Sequence, residues 1–318
     1  MTRQLDVFSL PMDVRFRGVD RREGVIISGP VSVGEFSPFE EYDDEESTAW
    51  LAAALEAADS GFPAPLRQSV PVNCTVPALD PNPAADIVKA PHGCRTAKVK
   101  VAEPGQTLDH DVARVAAVRQ ALGPTGRVRV DANGGWTVNQ AVEAIGVLAE
   151  FDLEYVEQPT RTVEELREVR RSVDVPVAAD ESIRRAADPM RVRRLEAADI
   201  AVLKVQPLGG VRACLRLAEE MDMPVVVSSA LESSVGIAAG VALAAALPEL
   251  PYACGLATTS MLARDLVAEP LQPVDGHIAV RTMTPAADLV AASRADRATE
   301  RRWLDRLARC ERLLRDLR

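Results

Sequence analysis

Six charged residues at the ends of predicted strands are the residues of this chain that are best placed to do chemistry. After a closely spaced pair of lysines, the next four charges recur at intervals of 26, 23 and 24 residues. An interval of this size holds one strand, one helix and two loops, so the charges occupy equivalent places in successive βα units. The series is Lys98, Lys100, Asp131, Glu157, Asp180 and Lys204. Carboxylates with lysines on either side indicate a metal site with a base beside it.

The two lysines of the pair lie two residues apart, which places both on one face of a strand. If that face points into a barrel, the two ammonium groups come close together. Like charge and burial both lower the pKa of a lysine, so Lys100 would become a general base near neutral pH. The alternative is that Lys98 and Lys100 form a solvated Lys-x-Lys on an edge strand, which is the commoner fate of such a tripeptide.

Three carboxylates follow on what we predict to be neighbouring strands, namely Asp131, Glu157 and Asp180. Oxygen ligands from adjacent strand ends make a hard site that leaves coordination positions open, as Mg²⁺ prefers. Each carboxylate alone could instead cap the helix that follows its strand, although Ser182 could take that role beside Asp180. Three carboxylates in register on consecutive units are harder to explain as helix caps.

The elements that must position these residues alternate in type from about residue 70 onwards. Short β-branched runs predict eight strands, at 70–76, 96–101, 128–131, 154–157, 175–180, 200–204, 224–228 and 252–256. Longer stretches with helical spacing predict helices between them, at 109–122, 137–150, 162–172, 188–197, 210–221 and 234–246. Eight parallel strands alternating with helices predict the α/β class and a (β/α)8 barrel.

The position of Lys204 on the sixth predicted strand gives the charged series a geometry. In an eight-stranded barrel the second and sixth strands are diametrically opposed, so Lys100 and Lys204 would face each other across the mouth. The three carboxylates would lie between them on one side. This arrangement suits removal of a proton next to a metal-bound carboxylate, because the metal neutralises the charge of the enediolate while a lysine takes the proton.

The two ends of the chain do not follow the alternating rhythm. Residues 1–66 hold two or three candidate strands, an acidic run at 40–46 and an Ala-rich helix at about 47–58. The tail from 271 holds a candidate strand at 277–281 and a helix at about 294–317, whose mixed charges are typical of a solvated face. We predict an α+β capping domain of residues 1–66 plus 271–318, and a catalytic (β/α)8 barrel of residues 67–270.

Composition and charge limit the class of partner. The 318-residue chain has a formal net charge of −10, which argues against a nucleic acid or an anionic membrane surface as the main partner. No stretch reaches the roughly 18–20 apolar residues of a membrane span, and Pro11 and acidic residues stand where a signal peptide needs an apolar core. The five cysteines form no C-x-x-C pair. These features predict a reduced, cytoplasmic protein.

The motifs around the charged residues resemble those of the enolase superfamily. They are Ala97-Lys-Val-Lys100, Val130-Asp-Ala-Asn-Gly-Gly-Trp136, Val156-Glu-Gln-Pro159, Ala179-Asp-Glu-Ser182 and Leu203-Lys-Val-Gln-Pro-Leu-Gly-Gly210. Two further segments resemble the o-succinylbenzoate synthase family of menaquinone biosynthesis, of the actinobacterial type. They are Val70-Pro-Val-Asn-Cys-Thr-Val-Pro77 and Ser228-Ser-Ala-Leu-Glu-Ser-Ser-Val-Gly236. The resemblance covers essentially the whole chain.

This resemblance implies an enzyme, a Mg²⁺-dependent carbon–oxygen lyase that acts on a small-molecule carboxylate. The substrate would be 2-succinyl-6-hydroxy-2,4-cyclohexadiene-1-carboxylate, which loses water by syn elimination to give 2-succinylbenzoate. Asp131, Glu157 and Asp180 would bind Mg²⁺, and the metal would hold the substrate carboxylate. The protein would act as a monomer or as a homo-oligomer.

The resemblance also implies distinct roles for the three lysines. Lys100 would remove the proton beside the carboxylate and then, once protonated, release the hydroxyl as water from the same side. Lys204 would stay charged and stabilise the enediolate from the opposite face. Lys98 would tune the pKa of Lys100 and contact the carboxylate.

Substrate contacts follow from the same resemblance. Family members hold the succinyl tail at 228–236, so Ser228, Ser229 and the backbone N–H groups that begin the next helix would bind its terminal carboxylate. The two serines could equally do no more than cap that helix. Gly209 and Gly210 fit a close backbone approach at the start of a helix, and a tight turn explains them equally well.

Other polar residues are not assigned a clear role by the sequence. Loops at 10–24 and 34–45 would close over the substrate, but Arg15 and Arg17 within them follow no pattern that we can map onto the family. His92, His110 and His277 lie outside the motifs and need no catalytic role.

Three other functions compete with the synthase interpretation. A racemase or epimerase of N-acylamino acids would use the same Mg²⁺ site, with Lys100 and Lys204 as acid and base on opposite faces. A cycloisomerase of the muconate type is another enzyme of this kind. A barrel that has lost catalysis and serves in binding or assembly is disfavoured, because every charged position is filled.

Overall fold

The computed structural model describes residues 3–16 and 18–316 of the chain. The N-terminal part forms a three-stranded antiparallel sheet followed by a helix. These elements are β1 (Leu5–Phe16), β2 (Val19–Ser28), β3 (Val33–Phe36) and α1 (Glu46–Ser60). They agree with the strands and the Ala-rich helix that the sequence predicts there.

The rest of the described chain alternates strands with helices. The strands are β4 (Ser69–Pro71), β5 (Cys74–Val76), β6 (Thr96–Lys100), β7 (Arg127–Asp131), β8 (Leu153–Glu157), β9 (Val177–Ala179), β10 (Ile200–Lys204), β11 (Val225–Ser228) and β12 (His277–Ala279). The helices are α2 (Pro81–Lys89), α3 (Leu108–Leu122), α4 (Val138–Leu148), α5 (Val163–Ser172), α6 (Glu181–Arg184), α7 (Arg191–Arg194), α8 (Val211–Met221), α9 (Ser234–Ala246), α10 (Ala287–Ala292) and α11 (Arg297–Asp316). Two short 3₁₀ helices cover Ala149–Phe151 and Ala257–Met261.

Strands β5 to β11 form one seven-stranded parallel sheet in sequence order. Strands β9 and β11 read as apolar runs because both of their faces are buried, as is usual when helices cover a parallel sheet. Val99, Val130 and Val156 belong to the main hydrophobic core. Alternate residues such as Lys98 and Lys100 therefore face the other side, which is the interior of the curled sheet.

Three helices that follow these strands begin with the same side-chain arrangement. Thr107, Thr137 and Thr162 stand before α3, α4 and α5, and each forms a capping box with the residue three positions later. A capping box satisfies backbone N–H groups that the first helical turn leaves unpaired. Local sequence thus fixes where these helices start and how long the preceding loops are.

The first and eighth predicted barrel strands are less regular than expected. The predicted strand at 70–76 is split into β4 and β5, with Val72 making a single parallel bridge to Cys254. The predicted strand at 252–256 contributes isolated bridges, to Val72 and to Ser228. The predicted helix at 188–197 is only the four-residue α7, because Pro189 interrupts the segment and the chain turns at Glu196 with a positive φ.

The N-terminal sheet, α1, their connections and α11 pack into what we call the N-terminal layer. Its core is a separate hydrophobic cluster that includes Phe36, Trp50 and Trp303. Trp303 from α11 meets Phe36 edge to face, with ring centroids 6.0 Å apart. The predicted tail helix is therefore only partly a solvated face, because one side of α11 is buried in this cluster.

The strand predicted in the tail does not join the N-terminal layer. β12 pairs antiparallel with β4, with Ile278 opposite Val70. It thus extends the segment that leads into the parallel sheet, and the polypeptide reaches the N-terminal layer only later, through α10 and α11. Residue 317, the predicted end of the tail helix, lies outside the described residues.

Two properties bear on the class of protein. Across residues 3–16 and 18–316, none of the helices is both long and apolar enough to cross a bilayer. All five cysteines are described, and each is a buried free thiol.

The close contact between β3 and α1 generates a prediction about stability. A Cβ added at Gly34 would overlap the backbone carbonyl of Ala54, whereas a Cβ at Gly146 in α4 would meet no atom within 4 Å. Gly34→Ala should therefore lower the free energy of unfolding by about 1–3 kcal/mol through overpacking. The matched control Gly146→Ala should raise it by about 0.5–1 kcal/mol. Urea unfolding measures both changes in the free energy of unfolding. A Gly34→Ala variant with the same free energy of unfolding as the parent protein would contradict the packing described.

Candidate active site

The six charged residues singled out from the sequence meet inside the curled parallel sheet. Lys100, Asp131 and Glu157 end strands β6, β7 and β8 and are register neighbours across the sheet. Asp180 follows β9 directly, and Lys204 ends β10. All six are buried, with Lys100 the most accessible at 7%. Lys98 and Lys100 both contact Asp131, so they point inward, and the alternative of a solvated Lys-x-Lys on an edge strand is wrong.

The two lysines of β6 bind two of the carboxylates. Lys98 Nζ lies 2.9 Å from each carboxylate oxygen of Glu157 and 3.4 Å from Asp131 Oδ2. Lys100 Nζ lies 2.5 Å from Asp131 Oδ2 and also donates to Asn133 Oδ1. Asn133 stands in the Val130-Asp-Ala-Asn motif, and its left-handed backbone (φ 45°) turns the side chain back to the site. The motif is recognisable in the sequence, but nothing in its spacing indicates this contact of Asn133.

The third carboxylate is held from two sides. Asp180 accepts from Lys204 Nζ at 2.7 Å and from Arg184 Nε at 2.8 Å. Arg184 also donates to Glu181 at 2.6 Å and to the hydroxyl of Tyr42 in the N-terminal layer. Sequence reasoning missed Arg184, although its position four residues after Asp180 places both on one face of a helical turn.

These contacts set the protonation of the carboxylates. Burial alone would raise the pKa of Asp131, but Lys100 and Lys98 hold it well below its usual range. Arg184 and Lys204 overcome burial in the same way and lower the pKa of Asp180. Burial, reinforced by Asp131, raises the pKa of Glu157 to about 7 although Lys98 opposes the shift.

The expected effect of the lysine pair on pKa is wrong for Lys98. Burial would lower the pKa of Lys98, but the negative charges of Glu157 and Asp131 outweigh burial and raise it. The sequence shows the like-charged neighbour two residues away, whereas the carboxylates that outweigh it come from other strands. Lys98 is therefore a permanently charged partner of Glu157 at neutral pH.

The residues present fit a hard divalent cation by type and by position. Asp131, Glu157 and Asp180 supply oxygen donors from three adjacent strands, which suits Mg²⁺. Their oxygens face lysine and arginine side chains in this structure. Accordingly, within residues 3–16 and 18–316, no group of three or more His, Cys, Asp or Glu side chains is already gathered as a metal site.

A small cavity lies over the charged residues. It has a volume of about 30 Å³, which holds about one water molecule. Its wall includes Lys98, Lys100, Asp131, Lys204, Ser228 and Ser229 from the strand ends, and Phe16 and Phe39 from the N-terminal layer. A second cavity of about 330 Å³ shares Phe16 and Lys100 with it and is also lined by Arg15. Arg17 lies outside the described residues.

The predicted substrate-binding residues fall in two places. Ser228 and Ser229 line the small cavity, and Ser229 Oγ donates to the carbonyl of Gly255 at 2.8 Å. Gly209 and Gly210 adopt positive φ values of 86° and 121° in a turn before α8. A Cβ at Gly210 would overlap the carboxylate of Glu56 from α1, so this turn permits close packing against the N-terminal layer.

The backbone N–H groups at the start of α9 already have partners. Glu35 of β3 accepts from the N–H groups of Ser233 and Gly236 at 3.2 and 3.1 Å, and Asp265 accepts from that of Ser234 at 3.2 Å. The expectation that these N–H groups receive a ligand carboxylate is therefore wrong for this arrangement. Two side chains from distant parts of the chain take that place, which sequence spacing does not reveal.

The three histidines lie away from the charged cluster. His92 contacts the backbone of Ile87, His110 completes the capping box of α3, and His277 contacts the backbone of Asp275. These contacts agree with the expectation that no histidine belongs to the catalytic set.

Comparison with known protein families identifies the group to which this fold and site belong. Residues 84–285 match the family model described as "Enolase C-terminal domain-like", and residues 7–58 match "Enolase N-terminal domain-like". The o-succinylbenzoate synthase of Thermobifida fusca is 61% identical over 301 residues, which cover 95% of this chain and 94% of that protein. The chain belongs to the o-succinylbenzoate synthase family of the enolase superfamily.

Two other members of the family are similar over nearly the whole chain. The o-succinylbenzoate synthase of Mycolicibacterium smegmatis is 55% identical over 312 residues, which cover 98% of this chain and 96% of that protein. That of Mycobacterium tuberculosis is 53% identical, with coverage of 98% and 94%. The alignment with these o-succinylbenzoate synthases thus takes in both the N-terminal layer and the parallel sheet.

Solved structures with the same fold come from several other activities. A muconate lactonizing enzyme from Pseudomonas fluorescens superposes with a TM-score of 0.80 at 21% identity, covering 92% of this chain and 98% of that one. An L-Ala-D/L-Glu epimerase from Bacillus subtilis gives 0.77 at 22%, with coverage of 90% and 97%. An N-succinyl Arg/Lys racemase from Bacillus cereus gives 0.77 at 20%, with coverage of 93% and 99%. At these identities the likeness concerns the fold.

The pairing of Lys98 with Glu157 generates a prediction with a defined pH dependence. Lys98→Met leaves Glu157 buried without its partner, which should lower the free energy of unfolding by about 3–5 kcal/mol at pH 8 in EDTA. The loss should be smaller at pH 5.5. Glu157 has a pKa of about 7 in the folded protein against 4.5 for an ordinary glutamate, so the folded state gains stability as pH falls through 7 and loses it as pH rises.

Chemical denaturation of both proteins at pH 8 and pH 5.5 tests this prediction. Removing Lys98 raises the pKa of Glu157 further, so the variant should gain more from acidification than the parent protein. The double variant Lys98→Met/Glu157→Gln is the control and should recover most of the loss. An equal loss at both pH values would contradict the assigned protonation.

Proposed function

We propose that this chain catalyses the Mg²⁺-dependent dehydration of 2-succinyl-6-hydroxy-2,4-cyclohexadiene-1-carboxylate to 2-succinylbenzoate, a step of menaquinone biosynthesis. One observation carries the proposal. Lys100 and Lys204 come from strands four apart in the sheet, yet line one cavity together with Asp131. Relatives named o-succinylbenzoate synthase at 53–61% identity support the choice of substrate.

The architecture that we propose for this activity is a complete (β/α)8 barrel under a capping domain. The segment 252–256 would act as the eighth strand, and its bridges to Val72 and Ser228 join the two edges of the parallel sheet. Residues 67–270 would form the barrel. Residues 1–66 plus 271–318 would form the capping domain, which supplies Phe16 and Phe39 to the cavity wall.

Asp131, Glu157 and Asp180 would hold the Mg²⁺ ion. When bound, the ion supplies positive charge that neutralises the carboxylate and the developing enediolate of the substrate. Charge balance supports this assignment. Lys98, Lys100, Lys204 and Arg184 offset these three carboxylates and Glu181 one to one. A divalent cation together with a dicarboxylate substrate adds equal charge of both signs, so the buried site stays balanced.

Lys100 would serve as the base and then as the acid. Its ammonium group is fixed at the cavity by Asp131 and Asn133, so the amine, once deprotonated, is aimed at the carbon beside the substrate carboxylate. The proton that Lys100 takes from this carbon can be given to the hydroxyl that leaves from the same face. A single group thus completes a syn elimination without a second acid.

Lys204 would act as a fixed positive charge on the opposite face. Its contact with Asp180 holds the ammonium group at the cavity, where it can stabilise the enediolate electrostatically. Lys98 would keep Asp131 ionised and oppose the burial that raises the pKa of Glu157, which favours the ionised form of both carboxylates. Neither role requires these two lysines to transfer a proton.

Substrate binding would require the wall of the small cavity to move. A ring that carries a succinyl chain is far larger than a volume of about 30 Å³. Phe16 separates this cavity from the neighbouring one of about 330 Å³, so displacement of its side chain would join them. Ser228 and Ser229 would then contact the substrate, whereas the part of Gly209 and Gly210 would be limited to their turn.

We assign the partners and location of the protein from the same function. Its partner is a small-molecule carboxylate, with no part for nucleic acid or membrane. A reduced, cytoplasmic setting suits the buried free thiols.

A spectroscopic assay of 2-succinylbenzoate formation tests the function and its metal requirement together. The purified chain should form product with Mg²⁺, lose activity in EDTA and regain it when Mg²⁺ is restored. Asp131→Asn should lower kcat/KM and raise the Mg²⁺ concentration needed for half-maximal activity, since it weakens the ligand set. Full activity in EDTA would contradict the metal site, and absence of product with Mg²⁺ would contradict the function.

The competing racemase activity has a distinct isotopic signature. A 1,1-proton transfer between Lys100 and Lys204 would wash solvent deuterium into the α-position of N-succinylamino acids. We expect these compounds to stay unlabelled while 2-succinylbenzoate is formed. Rapid labelling with no dehydration would favour the racemase instead.

The two opposed lysines should respond differently to substitution. Lys100→Ala removes the base and should lower kcat by about 10²–10⁴-fold. Lys204→Ala removes the fixed charge and should cost about 10²–10³-fold, whereas Lys204→Arg should retain part of the activity because it keeps the charge. Steady-state kinetics measure all three. A loss in Lys204→Arg as complete as in Lys204→Ala would argue against the electrostatic role.

A further inference from the structure

A buried arginine of the N-terminal layer joins this layer to the segment that precedes α9. Arg22 on β2 is only 4% exposed. Its Nε donates to the carbonyl of Leu231 at 3.1 Å, and its Nη2 donates to the carbonyl of Ala230 at 3.3 Å. Ala230 and Leu231 both line the small cavity over the charged residues, which is called the catalytic cavity from here on. A residue more than 200 positions away in the chain therefore holds one wall of that cavity by its backbone.

The same guanidinium group also contacts the segment that carries Phe39. Arg22 Nη2 donates to the carbonyl of Ser37 at 2.6 Å. The guanidinium carbon lies 4.3 Å from the ring centre of Phe39, a distance at which a cation is attracted to the ring face. Phe39 lines the catalytic cavity as well. Arg22 thus fixes the spacing between Phe39 on one side and the Ala230–Leu231 backbone on the other.

The backbone that Arg22 binds is not in a relaxed conformation. Leu231 has a φ of 63°, in the left-handed region that branched apolar residues rarely adopt. Glu232 assists from the other side, because its carboxylate accepts from the N–H of Ala230 at 2.8 Å. The conformation that points Leu231 to the cavity therefore depends on neighbouring charged groups.

A second residue of the N-terminal layer completes the attachment. Glu35 on β3 accepts from the N–H and the hydroxyl of Ser233 and from the N–H of Gly236. Arg22 therefore binds two carbonyl groups of the segment 230–236, while Glu35 binds two of its N–H groups. This division follows from charge, since a guanidinium group only donates and a carboxylate only accepts.

Arginine is the side chain that suits this place. Its planar group presents several N–H donors in a fixed arrangement and stacks on aromatic rings, so one residue can serve three carbonyl groups and Phe39 at once. A lysine at the same position would keep the charge but would not reproduce the fork. The contacts at this position therefore require the planar guanidinium group as well as a buried positive charge.

We propose that Arg22 is a positioning residue for substrate binding, which sets the distance between Phe39 and the Ala230–Leu231 wall of the catalytic cavity. Arg22 does not reach the charged strand ends and takes no part in proton transfer. The proposal rests on the proposed synthase function for its substrate, but the attachment of the segment 230–236 can be measured without any substrate. It assigns a specificity role to a side chain outside the motifs that the sequence analysis used.

Steady-state kinetics of three variants test the proposal. Arg22→Met should raise KM for the dehydration substrate by about 10- to 100-fold, the loss expected for hydrogen bonds from a charged group, while kcat stays within about threefold of the parent value. Arg22→Lys should give an intermediate KM. Arg21→Met is the matched control, because Arg21 is an exposed neighbour on the same strand, and it should leave both constants unchanged.

Two outcomes of these kinetics would overturn the proposal. One is a folded Arg22→Met protein with the KM of the parent, and the other is a fall in kcat at unchanged KM. A residue needed only for stability would lower the melting temperature and leave KM unchanged at a temperature where the protein stays folded. If Arg22→Met does not fold, Arg22→Lys provides the same comparison of KM with kcat.

Hydrogen–deuterium exchange measured by mass spectrometry gives the readout that is independent of activity. Peptides that cover 229–236 should exchange at least about tenfold faster in Arg22→Met or Arg22→Lys. Loss of the bonds from Arg22 to the carbonyl groups loosens this segment, so the hydrogen bonds that protect its N–H groups open more often. Peptides from α4 should be unaffected. Unchanged exchange at 229–236 overturns the proposal whether or not the parent protein is a synthase, whereas an inactive parent protein with faster exchange in the variants contradicts only the proposed function.

Discussion

The structure depends on balancing charge inside a sheet that has folded around its own strand ends. Asp131, Glu157 and Asp180 are almost completely buried, and each one contacts a lysine or arginine side chain. An unpaired charge in such a place destabilises a protein by several kcal/mol. Strands β6 to β10 must therefore keep a register in which their ends meet. The constraint that permits folding also produces a site whose charges can exchange partners with an ionic ligand.

The N-terminal layer is attached to this sheet by the same kind of interaction. Glu56 accepts from the backbone N–H of Arg212 at the start of α8, and Glu35 does so at the start of α9. Carboxylates are favoured at these ends because helix N-termini carry partial positive charge. Arg184 reaches back to Tyr42 from the charged cluster itself. The layer that covers the cavity is thus held by polar contacts at several of the helices that follow the parallel strands.

Spacing and alternation were enough to predict the part of the site that lies on regular strands. A period of two places Lys98 and Lys100 on one face of their strand without showing which way that face points, and the placement of Asp131, Glu157 and Lys204 follows from the repeated βα unit. What could not be predicted comes from contacts between distant segments. Among the residues that raise the pKa of Lys98, Glu157 has the largest effect and lies 59 positions away, and Glu35 meets Ser233 across 198 positions. A single sequence carries no signal for such pairings.

The parallel sheet has a seam where its two edge strands meet, and the pairing there differs from the pairing of the strands that carry the charged residues. Strands β6 to β10, at whose ends the charged residues lie, pair side by side with one irregularity between Val128 and Arg129, whereas the edges meet only through single bridges at Val72, Cys254 and Ser228. The charged strand ends thus belong to the paired arc of the sheet. The seam has fewer paired residues than the arc that carries the charged strand ends. Local opening or an inserted residue at the seam would therefore disturb the geometry of those ends least.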